Sequence, residues 1–330
     1  MSDTLQVQFG KARDLIQGAS SIVIFTHVSP DADAFGSSCG LQIALQQAGK
    51  QVTCYNPDID QSDYEFIPGV KDVRAFPEEN TQPDIIVVCD CGELSRIGSE
   101  LVAWVSQKSV PIVNIDHHIT NDSFGTVNIV GTDFSSTAEL VTVFLEFADI
   151  AIPPNCAEAL LTGIVGDTGC FRYRSATSDT LRRAAALIDN GARLANVTDH
   201  LYGSVSLASI RLEALALGKL ELLAGGKVAG VVITQSDLQD AQANSDDAGH
   251  LTEKIRDIEG VVVAYTIRWR DGVWKVSLRT ANPNVDLARV AQNFGGGGHK
   301  AAAAFRFSRE LHEMLPRLQA ELIESLTAVA

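Results

Sequence analysis

Aspartate and histidine recur in this 330-residue chain in four groups whose residue types suit cation binding and proton transfer. His27-x-x-x-Asp31-x-Asp33 follows one apolar, β-branched run, Asp90 follows a second, and Asp116-His117-His118 follows a third. Asp167 stands in the segment GIVGDTG, behind a helical pattern. A single aspartate at such a place is ordinary, because Asp also makes turns and helix caps. Three strand ends together mean more, since an open parallel sheet gathers its ligands at the carboxyl ends of its strands. Carboxylates and imidazoles crowded into one crevice would repel and desolvate one another at a cost of several kcal/mol unless cations neutralised them. Hard carboxylates with a few imidazoles suit Mn²⁺ or Mg²⁺, with Fe²⁺, Co²⁺ or Zn²⁺ admissible, and two ions can share a carboxylate about 3.5–4 Å apart.

For these groups to meet, the runs ahead of them must be neighbouring parallel strands. Residues 21–26, 51–55, 84–89 and 111–115 are such runs, and they alternate with helical patterns at 36–48, 136–148, 155–165 and 178–190. The pair Ser136-x-x-Glu139 has the form of a capping box at the start of the second helix. The alternation predicts an α/β chain: a parallel-sheet N-terminal domain with helices on both faces, over residues 1–190. A stretch rich in Ala and Leu, 191–226, reads as a helical connector ending at Gly225-Gly226. Residues 227–330 read as a smaller α/β C-terminal domain with a mixed sheet. Its strands are expected at 228–234, 260–269 and 272–280, the last two joined by a hairpin turn at Arg270-Asp271-Gly272. A helix at 285–293, the run Gly295-Gly296-Gly297-Gly298-His299, a short alanine run of helical character and a closing helix from about 308 complete the chain.

Charge is unevenly spread. The chain carries a formal −15, which opposes tight binding to long duplex nucleic acid, where phosphate contacts supply most of the affinity. Between Thr266 and Arg309 eight basic residues face two acidic ones, so this segment is +6 and the remainder −21. A local phosphate-binding face on an acidic protein fits a short anionic substrate. The four glycines lie in that segment, where backbone amides without side chains can approach a phosphate, and Arg279 stands on a neighbouring strand. Arg172 and Arg174, close behind Asp167, read equally well as phosphate contacts or as solvated strand residues.

The six cysteines show neither CxxC pairs nor small-domain spacing, and reduced, buried thiols are expected. Cys89 and Cys91 flank Asp90, where strand alternation sends them to opposite faces rather than to one metal. No run approaches the roughly 18 apolar residues of a membrane span, and the N-terminus lacks the order of a signal peptide, so no membrane association and a cytoplasmic location are expected.

The ordered set HxxxDxD, Asp, DHH and GD, followed by GGGGH, resembles the DHH phosphoesterase family and its associated C-terminal domain over nearly the whole chain. The resemblance implies one metal held by His27, Asp31 and Asp90, and a second by Asp33, Asp90, His117 and Asp167, with Asp90 bridging. It implies His118 at the scissile phosphate, Asp116 orienting its neighbours, and Arg279, Gly296, Gly297, Gly298 and His299 gripping substrate. Two Mn²⁺ per subunit would be the cofactors, with Mg²⁺ or Co²⁺ as substitutes, and a hydroxide shared between them the attacking group. Length and ending are similar to the bifunctional oligoribonuclease and pAp phosphatase group. Short RNA and 3′-phosphoadenosine 5′-phosphate (pAp) are then the expected substrates, with linear or cyclic dinucleotides as the alternative. An exposed sheet edge is compatible with a homodimer. The cysteines around Asp90 depart from the small apolar residues usual there, which bears on oxidation sensitivity.

Overall fold

Parallel strands have both faces covered, so their apolar runs are continuous rather than alternating. The computed structural model describes residues 2–58, 64–203, 205–270 and 272–326, in two compact units, Met1–Ser204 and Val205–Ala330. In the first unit the runs form β1 (Ser21–Phe25), β2 (Gln51–Tyr55), β3 (Ile85–Cys89), β4 (Ile112–Asp116) and β5 (Val127–Val130), all parallel, in the order β2-β1-β3-β4-β5. Ile22 and Ile24 of β1 face a large core with α1 (Asp3–Gly18) and α2 (Ala32–Gln47), while Val23 and Phe25 face a smaller one with α3 (Ser99–Ser106). The helices α4 (Thr137–Phe147) and α5 (Pro154–Asp167) join the large core, followed by α6 (Ser178–Asp189) and α7 (Leu194–Thr198). The strand order reverses between β1 and β3, and the crevice at that reversal is where such sheets place their chemistry.

The second unit begins with α8 (Leu207–Leu217). Its sheet comprises β6 (Glu221–Leu223), β7 (Val228–Ile233), β8 (Val263–Arg270), β9 (Val273–Thr280), β10 (Gly297–Gly298) and β11 (Ala302–Phe307), in the order β10-β11-β9-β8-β7-β6. The sheet is mixed: β7 and β8 are parallel and the other pairs antiparallel. The crossover between β7 and β8 contains α9 (Gln235–Ala241) and α10 (Leu251–Arg256), which with α8 cover one face. The other face packs against α11 (Leu287–Gln292) and α12 (Leu311–Ser325). Among the described residues no helix is long and apolar enough to cross a membrane.

The structure departs from the sequence reading at several points. The alanine run after His299 is strand β11 rather than helix, because β9 offers it a backbone ladder and the core takes Ala303 and Phe305, a tertiary demand that overrides alanine's helix preference. The stretch 191–226 is not helical throughout. It contains α7, a π-helical turn at Asp199–Gly203, α8 and then strand β6, and the division between the units falls within it. Helix α2 starts at Ala32 instead of 36, since Asp31 caps it by accepting from the Asp33 and Ala34 amides (3.0 Å each). Ser136 caps α4, but Glu139 does not return to the Ser136 amide; its carboxylate takes the Ser135 amide (2.8 Å) and the Ser135 hydroxyl (2.6 Å). The expected hairpin turn includes Asp271, which lies outside the described residues, although β8 and β9 pair as far as Arg270 and Val273.

Close approach of α2 to α5 depends on glycine. A Cβ at Gly36 would come within 2.6 Å of the Ala159 carbonyl oxygen and 2.7 Å of the Gly163 nitrogen, whereas a Cβ at Gly10 in α1 would meet nothing within 4 Å. Gly36→Ala is therefore expected to lower stability by about 1–3 kcal/mol through overpacking. Gly10→Ala should raise it by about 0.5–1 kcal/mol through helix propensity alone. Urea unfolding of the two variants checks both signs.

Candidate active site

His27, Asp90 and Asp116-His117-His118 leave the carboxyl ends of β1, β3 and β4, which are adjacent in the sheet. Asp31 and Asp33 lie at the start of α2, and Asp167 is the last residue of α5. The His27 Nε2 is 3.4 Å from Asp90 Oδ2, while its Nδ1 is 2.9 Å from the Val28 carbonyl, which fixes the ring so that Nε2 faces the crevice. His117 Nε2 lies 3.3 Å from Asp167 Oδ2 and 3.8 Å from Asp90 Oδ1. Ligand atoms of His27, Asp31 and Asp90 lie within 4.8 Å of one another, as do those of Asp33, His117 and Asp167, and those of Asp90, His117 and His118. Asp90 belongs to two of the three groups. Oxygen donors with imidazole and no thiolate form a hard set, which fits Mg²⁺ or Mn²⁺ well and Zn²⁺ or Co²⁺ acceptably.

Helix α4 anchors the centre. Asp33 is 1% exposed and accepts the Thr137 amide on Oδ2 (2.7 Å) and the Ala138 amide on Oδ1 (2.8 Å), so its carboxylate sits on the positive end of α4. The Thr137 hydroxyl donates to Asp90 Oδ1 (2.9 Å). Thr137 thus fixes two of the acidic groups, a role its place in an unremarkable Ser-Ser-Thr run did not signal. His118 Nδ1 is 2.7 Å from Asp116 Oδ1, and Asp116 Oδ2 accepts from the Asn121 amide (2.6 Å). Asn121 is a second residue without a motif of its own.

The charges are strongly perturbed. Burial, then the charges of Asp90, Asp167 and Asp31, push the Asp33 pKa well above the usual carboxylate value. Burial, with Asp31 and Asp90, does the same to Asp167. For Asp90 burial also opposes ionisation, but the hydrogen bond with His27 and the three surrounding histidines prevail and hold its pKa low. Burial favours neutral rings at His27 and His118, yet their carboxylate partners outweigh it and raise both pKa values.

Asp31 and Asp167 also line a pocket of about 250 Å³ with Ala32, Gly166, Tyr64, Leu201 and Tyr202. No motif marked the two tyrosines. Arg172 and Arg174 lie in an exposed turn after α5, not on a strand. Cys89 and Cys91 are both fully buried, in the cores on opposite faces of the sheet, and burial raises their pKa values far above the ordinary thiol value.

In the second unit Ala302 pairs with Arg279, and the tight turn His299–Ala302 (2.7 Å from the His299 amide to the Ala302 carbonyl) brings the glycine run to the same end of the sheet. Gly298, with φ 138°, has a backbone only glycine adopts readily, and a side chain at Gly296 would strike the backbone and side chain of β11. Gly297 has open space where a Cβ would stand. Arg279 is not a free cation: its Nε donates to Glu253 Oε1 (2.6 Å).

Residues 21–164 match the DHH family, N-terminal domain, and residues 225–328 match the DHHA1 domain. A protein of Thermus thermophilus named bifunctional oligoribonuclease and PAP phosphatase NrnA is 33% identical over 93% of this chain and 90% of its own length. The chain belongs to the DHH family. The NrnA of Bacillus subtilis is 26% identical over 86% of this chain and 88% of its own. An exopolyphosphatase-related protein from Bacteroides fragilis has the same architecture, with a TM-score of 0.89 at 26% identity, over 98% of this chain and 97% of that one.

The raised pKa values set a pH dependence. Asp33 and Asp167 take up protons more readily folded than unfolded, so stability without metal falls as pH rises from the ordinary carboxylate range through their raised values. His27 and His118 act in the same direction, their contribution being lost as pH rises through their raised values. Added Mn²⁺ or Mg²⁺ supplies the missing counter-charge, so thermal scans should show a larger metal-induced rise in Tm at pH 8 than at pH 6. Asp167→Asn should raise the metal-free Tm by roughly 2–4 °C, equivalent to about 1 kcal/mol at this size, and shrink the metal response. A metal response independent of pH would contradict the electrostatic account.

Proposed function

We propose that the chain is a two-cation phosphoesterase that hydrolyses short oligoribonucleotides to mononucleotides and removes the 3′-phosphate of pAp, with Mn²⁺ the preferred ion. The observation that carries the reading is buried Asp90, grouped with His27 and Asp31 on one side and 3.8 Å from His117, which is grouped with Asp33 and Asp167 on the other. The T. thermophilus and B. subtilis relatives, both named as oligoribonuclease and PAP phosphatase, support the substrate class.

His27, Asp31 and Asp90 would hold one ion, and Asp33, Asp90, His117 and Asp167 the other. Such a pair would supply an acidified water as nucleophile and charge neutralisation for the phosphate oxygens. The remaining steps belong to the chain. Asp33 and Asp90, pinned by α4, keep their free lone pairs directed into the crevice. Asp116, itself held by Asn121, binds His118 through Nδ1 and favours the protonated ring. A protonated His118 would then donate through Nε2 to a phosphate oxygen or protonate the departing ribose oxygen. Arg279 and the amides at Gly296, Gly297 and Gly298, with His299, would grip the terminal nucleotide, Gly297 offering the open approach.

Release of mononucleotide from a five-nucleotide RNA and of phosphate from pAp should both stop in metal-stripped protein and return with Mn²⁺. Turnover of a linear or cyclic dinucleotide alone would keep the metal site and replace the substrate. Asp33→Ala should lower turnover at least 10-fold to 100-fold, and a variant retaining more than about a tenth of activity would count against the two-cation assignment. His118→Ala should lower kcat on RNA and pAp by about 10²–10⁴-fold, and by much less on bis-p-nitrophenyl phosphate, whose leaving group needs no proton. Equal losses on all three would remove the acid role.

A further inference from the structure

One face of the second unit's sheet packs against α11 and α12 through Val263, Tyr265, Ile267, Val276, Leu278 and Phe305, and α8, α9 and α10 cover part of the other, where Ala264 joins their core and Thr266 meets Thr252. The alternate residues make the opposite face, and across β8, β9 and β11 they align in three rungs. Ala264, Arg279 and Ala302 form the first rung, and Thr266, Ser277 and Ala304 the second. Arg268, Lys275 and Arg306 form the third. Three cations directly opposite one another are unfavourable in a sheet unless an anion lies among them.

The chain itself supplies partial compensation: the charges of Asp246 and Glu253 act on Arg268, and that of Asp246 on Lys275. Asp246 is engaged by Arg270 (2.6 Å) and Glu253 by Arg279 (2.6 Å). Among the described residues neither Lys275 nor Arg306 has an ion-pair partner. Arg268 is only 5% exposed; one terminal nitrogen donates to the Ser245 carbonyl (2.9 Å), while its buried Nε has no hydrogen-bond partner. Such an orphaned, charged donor is costly in a protein interior. Exposure rises along the rung, from buried Arg268 through half-buried Lys275 to exposed Arg306, and Ala304 keeps the neighbouring rung low. Burial, then Arg268 and Arg270, lower the Lys275 pKa, as a crowded cation site requires.

We propose that the Arg268–Lys275–Arg306 rung binds a backbone phosphate of an oligonucleotide, beyond the terminal nucleotide held at the Arg279 end of the same face; this rests on the function proposed above. Lys275 and Arg279 are four residues apart on β9, about 13 Å between Cα atoms at the rise of a strand, and Glu253 holds the Arg279 side chain at its own end of the face. With one nucleotide seated at the Arg279 end, the rung suits the phosphate of a further nucleotide, which a short single strand has and pAp lacks. The site would separate the two activities: oligonucleotide affinity depends on it and pAp turnover does not.

The test compares wild type with Lys275→Gln/Arg306→Gln in the full chain, and with the exposed Arg306→Gln alone in case the double variant melts early. Fluorescence anisotropy of a labelled five-nucleotide RNA in EDTA reads binding without cleavage, across a salt series. The double variant should bind about 10-fold more weakly at low salt, with the slope of log K against log salt smaller by about 0.7 for each phosphate that is no longer neutralised. Its KM for the RNA should rise in step, while kcat and kcat/KM for pAp stay within twofold. Unchanged RNA affinity and salt slope overturn the proposal, and so do equal losses on pAp and RNA. If wild type binds RNA but cuts neither substrate, the proposed function falls while the anisotropy comparison still decides the rung.

Discussion

Asp33 and Asp90 are almost wholly buried, and the charges of Asp90, Asp167 and Asp31 all bear on Asp33; carboxylates so placed repel one another strongly where little water remains to screen them. The fold answers this repulsion from the protein side with three devices. Two amides at the head of α4 neutralise part of the Asp33 charge, the Thr137 hydroxyl and His27 satisfy Asp90, and His117 stands between Asp90 and Asp167. The carboxylates nevertheless remain under strain, as the opposite shifts of Asp33 and Asp90 make plain. A divalent cation relieves that strain, which ties metal affinity to the same geometry that destabilises the metal-free protein.

Packing of the first unit serves that geometry. Helices α2, α4 and α5 meet where their side chains are smallest. A Cβ at Gly163 would come within 2.6 Å of Ala138 Cβ and 2.7 Å of Asp33 Oδ1, so the glycine lets α5 approach both α4 and the buried carboxylate. Gly36 does the same for α2 against α5. Because Asp31 and Asp33 start α2, the amides that donate to Asp33 start α4 and Asp167 ends α5, the relative placement of these helices is the placement of the carboxylates.

The second unit carries the complementary charge. Its sheet has a core on each face, and beyond the part that α8, α9 and α10 cover it lays arginine and lysine across one of them, with Asp246 paired to Arg270 and Glu253 to Arg279. An acidic centre that needs cations and a basic face that needs anions are the two halves expected of a protein handling short phosphate chains.

Much of this is legible along the chain. The β-branched runs, their parallel pairing and the strand-end positions of His27, Asp90 and Asp116-His117-His118 follow from local periodicity, which a single strand or helix imposes on its own sequence. The Ala302–Phe307 segment was not legible, since alanine prefers helix and only the open edge of β9 makes it a strand. Thr137 was invisible for a related reason: its hydroxyl reaches Asp90, and no local pattern records a partner 47 residues away, while Asn121, only five residues from Asp116, lies in a loop whose course no periodicity describes. Arg279 was legible as a cation on a strand, but its engagement by Glu253 was not. Sequence by itself determined which residue types end each strand and hence the hard-ligand chemistry. Tertiary structure alone decided that Thr137 would hold Asp33 and Asp90 together and that Arg268, Lys275 and Arg306 would fall on one rung, because packing, register and strand order join residues that are remote along the chain.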